Sequence, residues 1–194
     1  MAITYPLSLP TSISIGSIEL MADNVVARSE SPFTFAQQIV SHAGQRWRAN
    51  VTMPPMKRAV AAPWQGFLLG LKGGQGTFLM GHPLATSPLG TASSATITGT
   101  SGSDSLTVTM TGTLLAGDYI QLGSGSDATL HMVLEDQDGD GTLEVFPALR
   151  KDRTSVSAVL SNPKGLFRLA TNTQNFSTDN ASIYGIQFEA VEAV

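Results

Sequence analysis

The chain has 194 residues, a formal net charge of −4 and no cysteine, and charged residues make up 13% of it, about half the share usual in a soluble domain. Zero cysteine excludes a disulfide scaffold, a thiolate zinc site and a cysteine nucleophile. An acidic balance with no basic cluster argues against nucleic acid as a specific partner. Gly, Ser and Thr together supply about three residues in ten, a composition that suits pleated strands and tight turns better than helix interiors.

Met1–Pro10 has no basic stretch and contains two prolines, so it does not read as a signal peptide. Ser12–Leu20 reads as a strand whose phase slips: Ile13 and Ile15 share one face, Ile18 and Leu20 the other. Gly16 at the slip suggests a bulge. Arg46–Met53 alternates cleanly, with Trp47, Ala49, Val51 and Met53 inward and Arg46, Arg48, Asn50 and Thr52 outward. Pro54-Pro55 ends it, since proline cannot donate to a ladder. Ala62–Leu71 predicts a helix with Pro63 in its first turn and Trp64, Phe67, Leu68 and Leu71 on one face. Gly73-Gly74 offers a left-handed stop. The apolar stretch around Ala59–Leu71 is broken by Pro63, Gln65, Gly66 and Gly70 and is too short to span a bilayer, so no membrane insertion is expected.

From about Leu89 the texture changes to Thr, Gly and Ser. Strands are predicted near Leu106–Met110, Asp118–Leu122, Leu130–Glu135, Thr142–Phe146 and Leu166–Leu169, with Asp136–Gly141 as a hairpin tip. Five short strands in about 80 residues suit a small barrel of the oligonucleotide/oligosaccharide-binding shape. After a polar linker from Thr171, Ser182–Val191 reads as a strand with Tyr184, Ile186, Phe188 and Ala190 on one face. It needs a sheet to join, and the opening region offers one. The expected fold is therefore mainly β with one helix: a discontinuous sandwich domain, residues 1–88 plus 171–194, carrying an inserted barrel, residues 89–170. The inserted part holds nine acidic and five basic residues, the rest six of each.

Few residues point to chemistry. Asp136, Asp138 and Asp140 followed by Gly141 imitate the start of a calcium loop. The twelfth position is Pro147 instead of a bidentate Glu, so a solvated turn is the favoured expectation and calcium its alternative. His42, His82 and His131 lie far apart with no zinc spacing; His131 is expected on an outward strand position, satisfied or at the surface. Gly70–Gly76 follows a helix instead of preceding one, which is wrong for phosphate. No GxSxG elbow exists, Ser93–Ser105 has no neighbouring base, and nothing selects a pair of acids, so no enzyme is expected. Arg46 and Arg48, with Lys57 and Arg58 nearby, read either as ordinary solvation or as a contact with an acidic neighbour.

A Trp-bearing strand, Pro-Pro, the helix PWQGFLLGLKG and a Gly-Thr-Phe strand running into GHP, together with AGDYIQLGSGSDATLHMVLEDQDGDGTLEVFPALR, resemble tail proteins of long-tailed bacteriophages. The family most similar in architecture is that of the distal tail proteins. The resemblance covers roughly residues 40–170 and the final strand. It implies a tail-tube-like β-sandwich with one helix and a barrel of the oligosaccharide-binding shape, assembled as a homohexameric ring in the virion. Such a ring joins the tail tube protein to the baseplate hub protein at the tail tip, with barrels facing fibres or host-surface glycans, after assembly in the host cytoplasm. Ring contacts through strand edges and helix faces would then involve Arg46, Arg48, Trp64 and Phe67. Other expectations are another minor tail or tube subunit, or a carbohydrate-binding module. The last is weakened because Tyr119, Phe146 and Phe167 are the aromatic residues of the inserted part, and sugar sites favour aromatic rings.

Overall fold

The computed structural model describes residues 3–179 and 182–194. Met1 and Ala2 of the opening segment, and Asn180 and Ala181 of the polar linker, lie outside the described residues. The chain runs β1 (Leu7–Ser8), β2 (Ser17–Glu30), β3 (Gln37–Thr52), β4 (Met56–Lys57), α1 (Arg58–Gly70) and β5 (Phe78–Met80). It continues through β6 (Ser94–Gly99), β7 (Ser105–Thr111), β8 (Thr113–Leu114), β9 (Tyr119–Leu122), β10 (Thr129–Val133), β11 (Gln137–Asp138), β12 (Gly141–Phe146) and β13 (Arg153–Ser157). It ends with β14 (Gly165–Leu169), β15 (Phe176–Thr178) and β16 (Ile183–Glu192). The fold is mainly β with one helix, as the composition requires.

One sheet has the order β1-β5-β14-β16-β3-β2, with β4 and β15 pairing the first half of β16. The final strand does join the opening segment: Phe188 pairs Val51 and Ala190 pairs Ala49. Alternation explains the register, because it puts Trp47, Ala49 and Val51 of β3 and Ile186, Phe188 and Ala190 of β16 into one core. Slipping either strand by one residue would turn these side chains to water. The layer facing this sheet is α1, whose Trp64, Phe67, Leu68 and Leu71 are all buried as their spacing predicts. Trp64 lies 5.9 Å from Phe67 and 6.3 Å from Phe188 between ring centroids, and Phe78 joins Phe67 edge-on at 5.5 Å.

α1 begins at Arg58, earlier than expected, and Pro63 sits inside it. The missing proline N–H leaves the carbonyl of exposed Ala59 to water, which makes the interruption tolerable there. The helix stops where Lys72 and then Gly73 turn left-handed, at φ 52° and 67°. A Cβ on Gly73 would stand 2.6 Å from Asn172 Oδ1, so glycine is required by space as well as by conformation. The strand expected over Ser12–Leu20 starts only at Ser17. Gly16 marks no bulge; it packs under Pro54 and donates to Thr52 O at 3.1 Å.

The second sheet has the order β13-β6-β7-β12-β10-β9, every neighbour antiparallel. It closes through Gln121 and Val159, whose backbones exchange hydrogen bonds of 3.0 and 2.8 Å. This barrel has six strands where the oligosaccharide-binding shape has five. β6 and β13 complete it, while Leu166–Leu169, expected among its strands, instead bridges β5 and β16 in the large sheet. β7 shows full alternation, with Leu106, Val108 and Met110 inside and its Ser and Thr residues outside. The expected hairpin of β10 and β12 forms, with Val133 opposite Val145. Its tip is no free turn, because β11 pairs β8.

Candidate interaction surface

β2 and β3 are far longer than the sheet they serve. They stay paired from Ser17 opposite Thr52 out to Glu30 opposite Gln37, with one irregularity beside Val25. Buried residues stop at Trp47. From Asn24 to Gly44 every residue is exposed except half-buried Ser31, so the two strands project as an arm of about 25 Å. Neither face of the arm has a core to cover. Its apolar side chains are nonetheless large: Phe33 is 92% exposed and Phe35 73%, and Val25, Val26, Ile39 and Val40 are exposed as well.

The tip is built, not frayed. Ser31 Oγ accepts from the N–H groups of Phe33 and Thr34, Ser31 O accepts from Phe35 N at 2.9 Å, and Ser31 N donates to Ala36 O at 3.0 Å. Phe35 takes a left-handed φ of 56°. These bonds hold the turn that carries both aromatic residues at the far end of the arm.

At the root, Arg46 and Arg48 each place Nε on Asp23 Oδ2, at 3.2 and 3.0 Å. The two arginines are thus brought together, but their shared partner is in their own chain, and the exposed pairs contribute at most about 1 kcal/mol each. Deeper, Gln45 holds the barrel: its Oε1 accepts from Ala148 N at 2.8 Å, and its carbonyl accepts from Arg150 Nη2. Trp47 Nε1 donates to Leu130 O at 3.0 Å, and its ring meets Phe146 edge-on at 4.9 Å. Glu192 Oε2 accepts from Trp47 N at 3.0 Å and from Arg150 Nη2 at 3.2 Å. Burial pushes the Glu192 carboxyl above the usual range, against the opposing pull of the Trp47 amide and Arg150.

Trp64 and Phe67, expected as subunit contacts, are buried core residues of this chain, packed on Phe188 and Phe78. Their faces are already covered. Asp136, Asp138 and Asp140 do not converge as calcium ligands. Asp136 Oδ1 accepts from Ala116 N and Asp140 Oδ1 from Met110 N, each at 2.8 Å, while Asp138 lies exposed in β11. Among the described residues no group of three or more His, Asp or Glu side chains is placed to hold a metal ion. The Asp136 and Asp140 carboxylates accept backbone N–H groups that would otherwise lack a partner.

His131 is fully buried instead of outward, on the side of β10 that Val133 turns to the barrel core, and it is satisfied as expected. Its sequence neighbours Leu130 and Met132 pack on the other side with the core of the large sheet, so both faces of β10 are shielded. Nδ1 donates to Pro147 O at 2.7 Å, and Nε2 accepts from Thr129 Oγ1 at 2.9 Å. Burial lowers its pKa to about 4, with Arg150 and Arg153 adding to the shift against the pull of the Pro147 carbonyl. Among the described residues no helix is long and apolar enough to cross a membrane.

The arm escaped the sequence reading because residues 21–45 follow no inward period; the signal that could have found it is the density of Val, Ile and Phe in a stretch with no polar partner face. No family model matches the chain, and no curated protein matches it.

Proposed function

We propose that the chain is a structural protein of a phage tail tip that assembles into a closed homomeric ring of six. The arm carries this reading. A two-stranded projection with large apolar side chains on it, and no core among the described residues against it, suits a surface that another subunit covers. Two further features support it. β2 is an edge strand of fourteen residues whose outer side is unpaired within the large sheet, an edge that a neighbour can extend. The arm and the rest of the body are different surfaces, and contacts between unlike surfaces generate rings when the rotation closes.

In this role the ring joins the tail tube to the baseplate hub, and the barrel stands outside it. The outer face of the large sheet presents Glu19, Asn50 and Glu189 in one row across β2, β3 and β16. The next row on the same face carries Arg48 and Arg168, so the face is of mixed charge. The resemblance of the segments quoted above to distal tail proteins points to the same place in the virion.

Native mass spectrometry and negative-stain imaging of the purified chain test this. Six-copy rings that fall to folded monomers when residues 26–41 are replaced by an Asn-Gly turn are expected. A chain that stays monomeric with its arm intact at high concentration, alone and with the adjoining tail proteins, overturns it.

A further inference from the structure

Resting on that ring reading, we propose that the aromatic tip of the arm seats on the exposed face of α1 in the neighbouring copy. The arm reaches away from its own body, so Phe33 and Phe35 have no seat among the described residues. A standard protein interface uses about 20–30 residues a side, and residues 24–44 supply that number by themselves.

The receiving surface is argued from side-chain size and charge. α1 buries Trp64, Phe67 and Leu68 and turns Ala62, Pro63, Gly66 and Leu69 to solvent. Leu69 is 62% exposed, and Ile3 lies beside the adjoining Gly70 and is 48% exposed. A Cβ added at Gly66 would meet nothing within 4 Å. Two large apolar side chains at one end and small ones along the turn make a shallow, rigid bed on which an aromatic ring can lie flat.

Charge then sets direction. The first turn of α1 contains no acidic residue and its N-cap makes no side-chain hydrogen bond. Lys57 and Arg58 stand exposed there, and among the described residues neither has an acidic partner. The arm carries one acid near its tip, Glu30, whose Oε2 lies 3.7 Å from Arg28 Nη2 and accepts from Gln37 Nε2 at 2.5 Å, all at the surface. Glu30 closes the ladder at the base of the Ser31–Ala36 turn that carries Phe33 and Phe35, and Arg58 lies about 12 Å from Gly66 along the helix. One placement therefore sets the rings on Gly66 and Leu69 and the carboxylate at the cationic helix start, where the dipole also favours it. Pairing of arm with arm would be self-complementary and would stop at two copies.

The absence of cysteine gives a clean test. Chains bearing both Thr34→Cys and Gly66→Cys are oxidised and run without reductant, beside Thr34→Cys alone and Thr34→Cys with Ser126→Cys on the barrel. A ladder reaching six copies from the first pair only is expected. Because Gly66→Cys alters a helix, a charge exchange is run in parallel: Glu30→Lys raises the concentration needed for half-assembly about tenfold, and adding Lys57→Glu with Arg58→Glu restores it. Rings without the ladder and without the rescue overturn the seat and leave the ring standing. Dimers of Thr34→Cys alone overturn it in favour of arm-on-arm pairing. No assembly of the unsubstituted chain overturns the seat and the ring together.

Discussion

Glu192 and Arg150 meet at 3.2 Å beneath the barrel, with the Glu192 side chain 3% exposed and that of Arg150 20%. The pair sits where the last strand, the arm's root and the barrel converge. Removing the arginine leaves a buried carboxylate held by the Trp47 amide alone. Arg150→Met is expected to cost about 3–5 kcal/mol at neutral pH. The Glu192 carboxyl is already raised by burial, so its favourable contribution is present at low pH and lost as pH rises through the folded value. Losing Arg150 raises that value further. Chemical denaturation should find the variant's deficit smaller at pH 5 than at pH 8; an equal deficit at both contradicts the assignment.

His131 acts in the opposite sense. Its folded value of about 4 lies below the usual 6.5, so the unfolded chain takes up a proton that the folded chain refuses. Stability from this residue is complete above pH 6.5 and falls as pH drops towards 4. Between pH 7.5 and 5 the loss should be about 2 kcal/mol. His131→Gln, which preserves a hydrogen-bonding side chain, should flatten that part of the curve relative to the unsubstituted protein. Comparing the two urea midpoints at both pH values isolates the histidine from Glu192.

Asp118 tethers the entry to the barrel. It is buried and accepts from Leu89 N at 2.5 Å, Leu115 N at 2.9 Å and Gly90 N at 3.3 Å. Asp118→Ala strands three amides and should cost about 3 kcal/mol or more. Asp118→Asn keeps one acceptor oxygen and should cost roughly half as much. Thermal melts of the two variants rank them; equal losses would contradict the role of the second carboxylate oxygen.

The arm's rings behave differently from every core residue. Phe33→Ser with Phe35→Ser removes side chains that the single chain never covers, so folding stability should change by less than about 0.5 kcal/mol. Assembly should fail. Melting curves taken at a concentration where the variant is monomeric, set beside sedimentation, separate the two effects.

What the sequence makes legible is whatever one core imposes on one strand or helix. Trp47 to Val51, Leu106 to Met110, Trp64 to Leu71 and Ile186 to Ala190 each follow a single buried face. Glu192 continues the inward parity of Ile186, Phe188 and Ala190, and that parity is the signal for a carboxylate turned into a core. Where two layers or none cover an element, the period vanishes. β10 buries Leu130 towards the large sheet and His131 towards the barrel interior, so its alternation misassigns the histidine. The arm buries neither side and so presents no period. Leu166–Leu169 has a strand's composition, but its partners Phe78 and Ala190 are set by long-range pairing that no local pattern specifies.

Gln45 is at once the last residue before the arm and the acceptor for Ala148 and Arg150 of the barrel. A tilt imposed at the far end is not absorbed at the fulcrum without breaking those bonds. The projection and the barrel therefore share one fulcrum: in the proposed ring, a subunit that grips its neighbour also sets the angle at which the barrel is displayed, and strain felt by the barrel is returned to the grip.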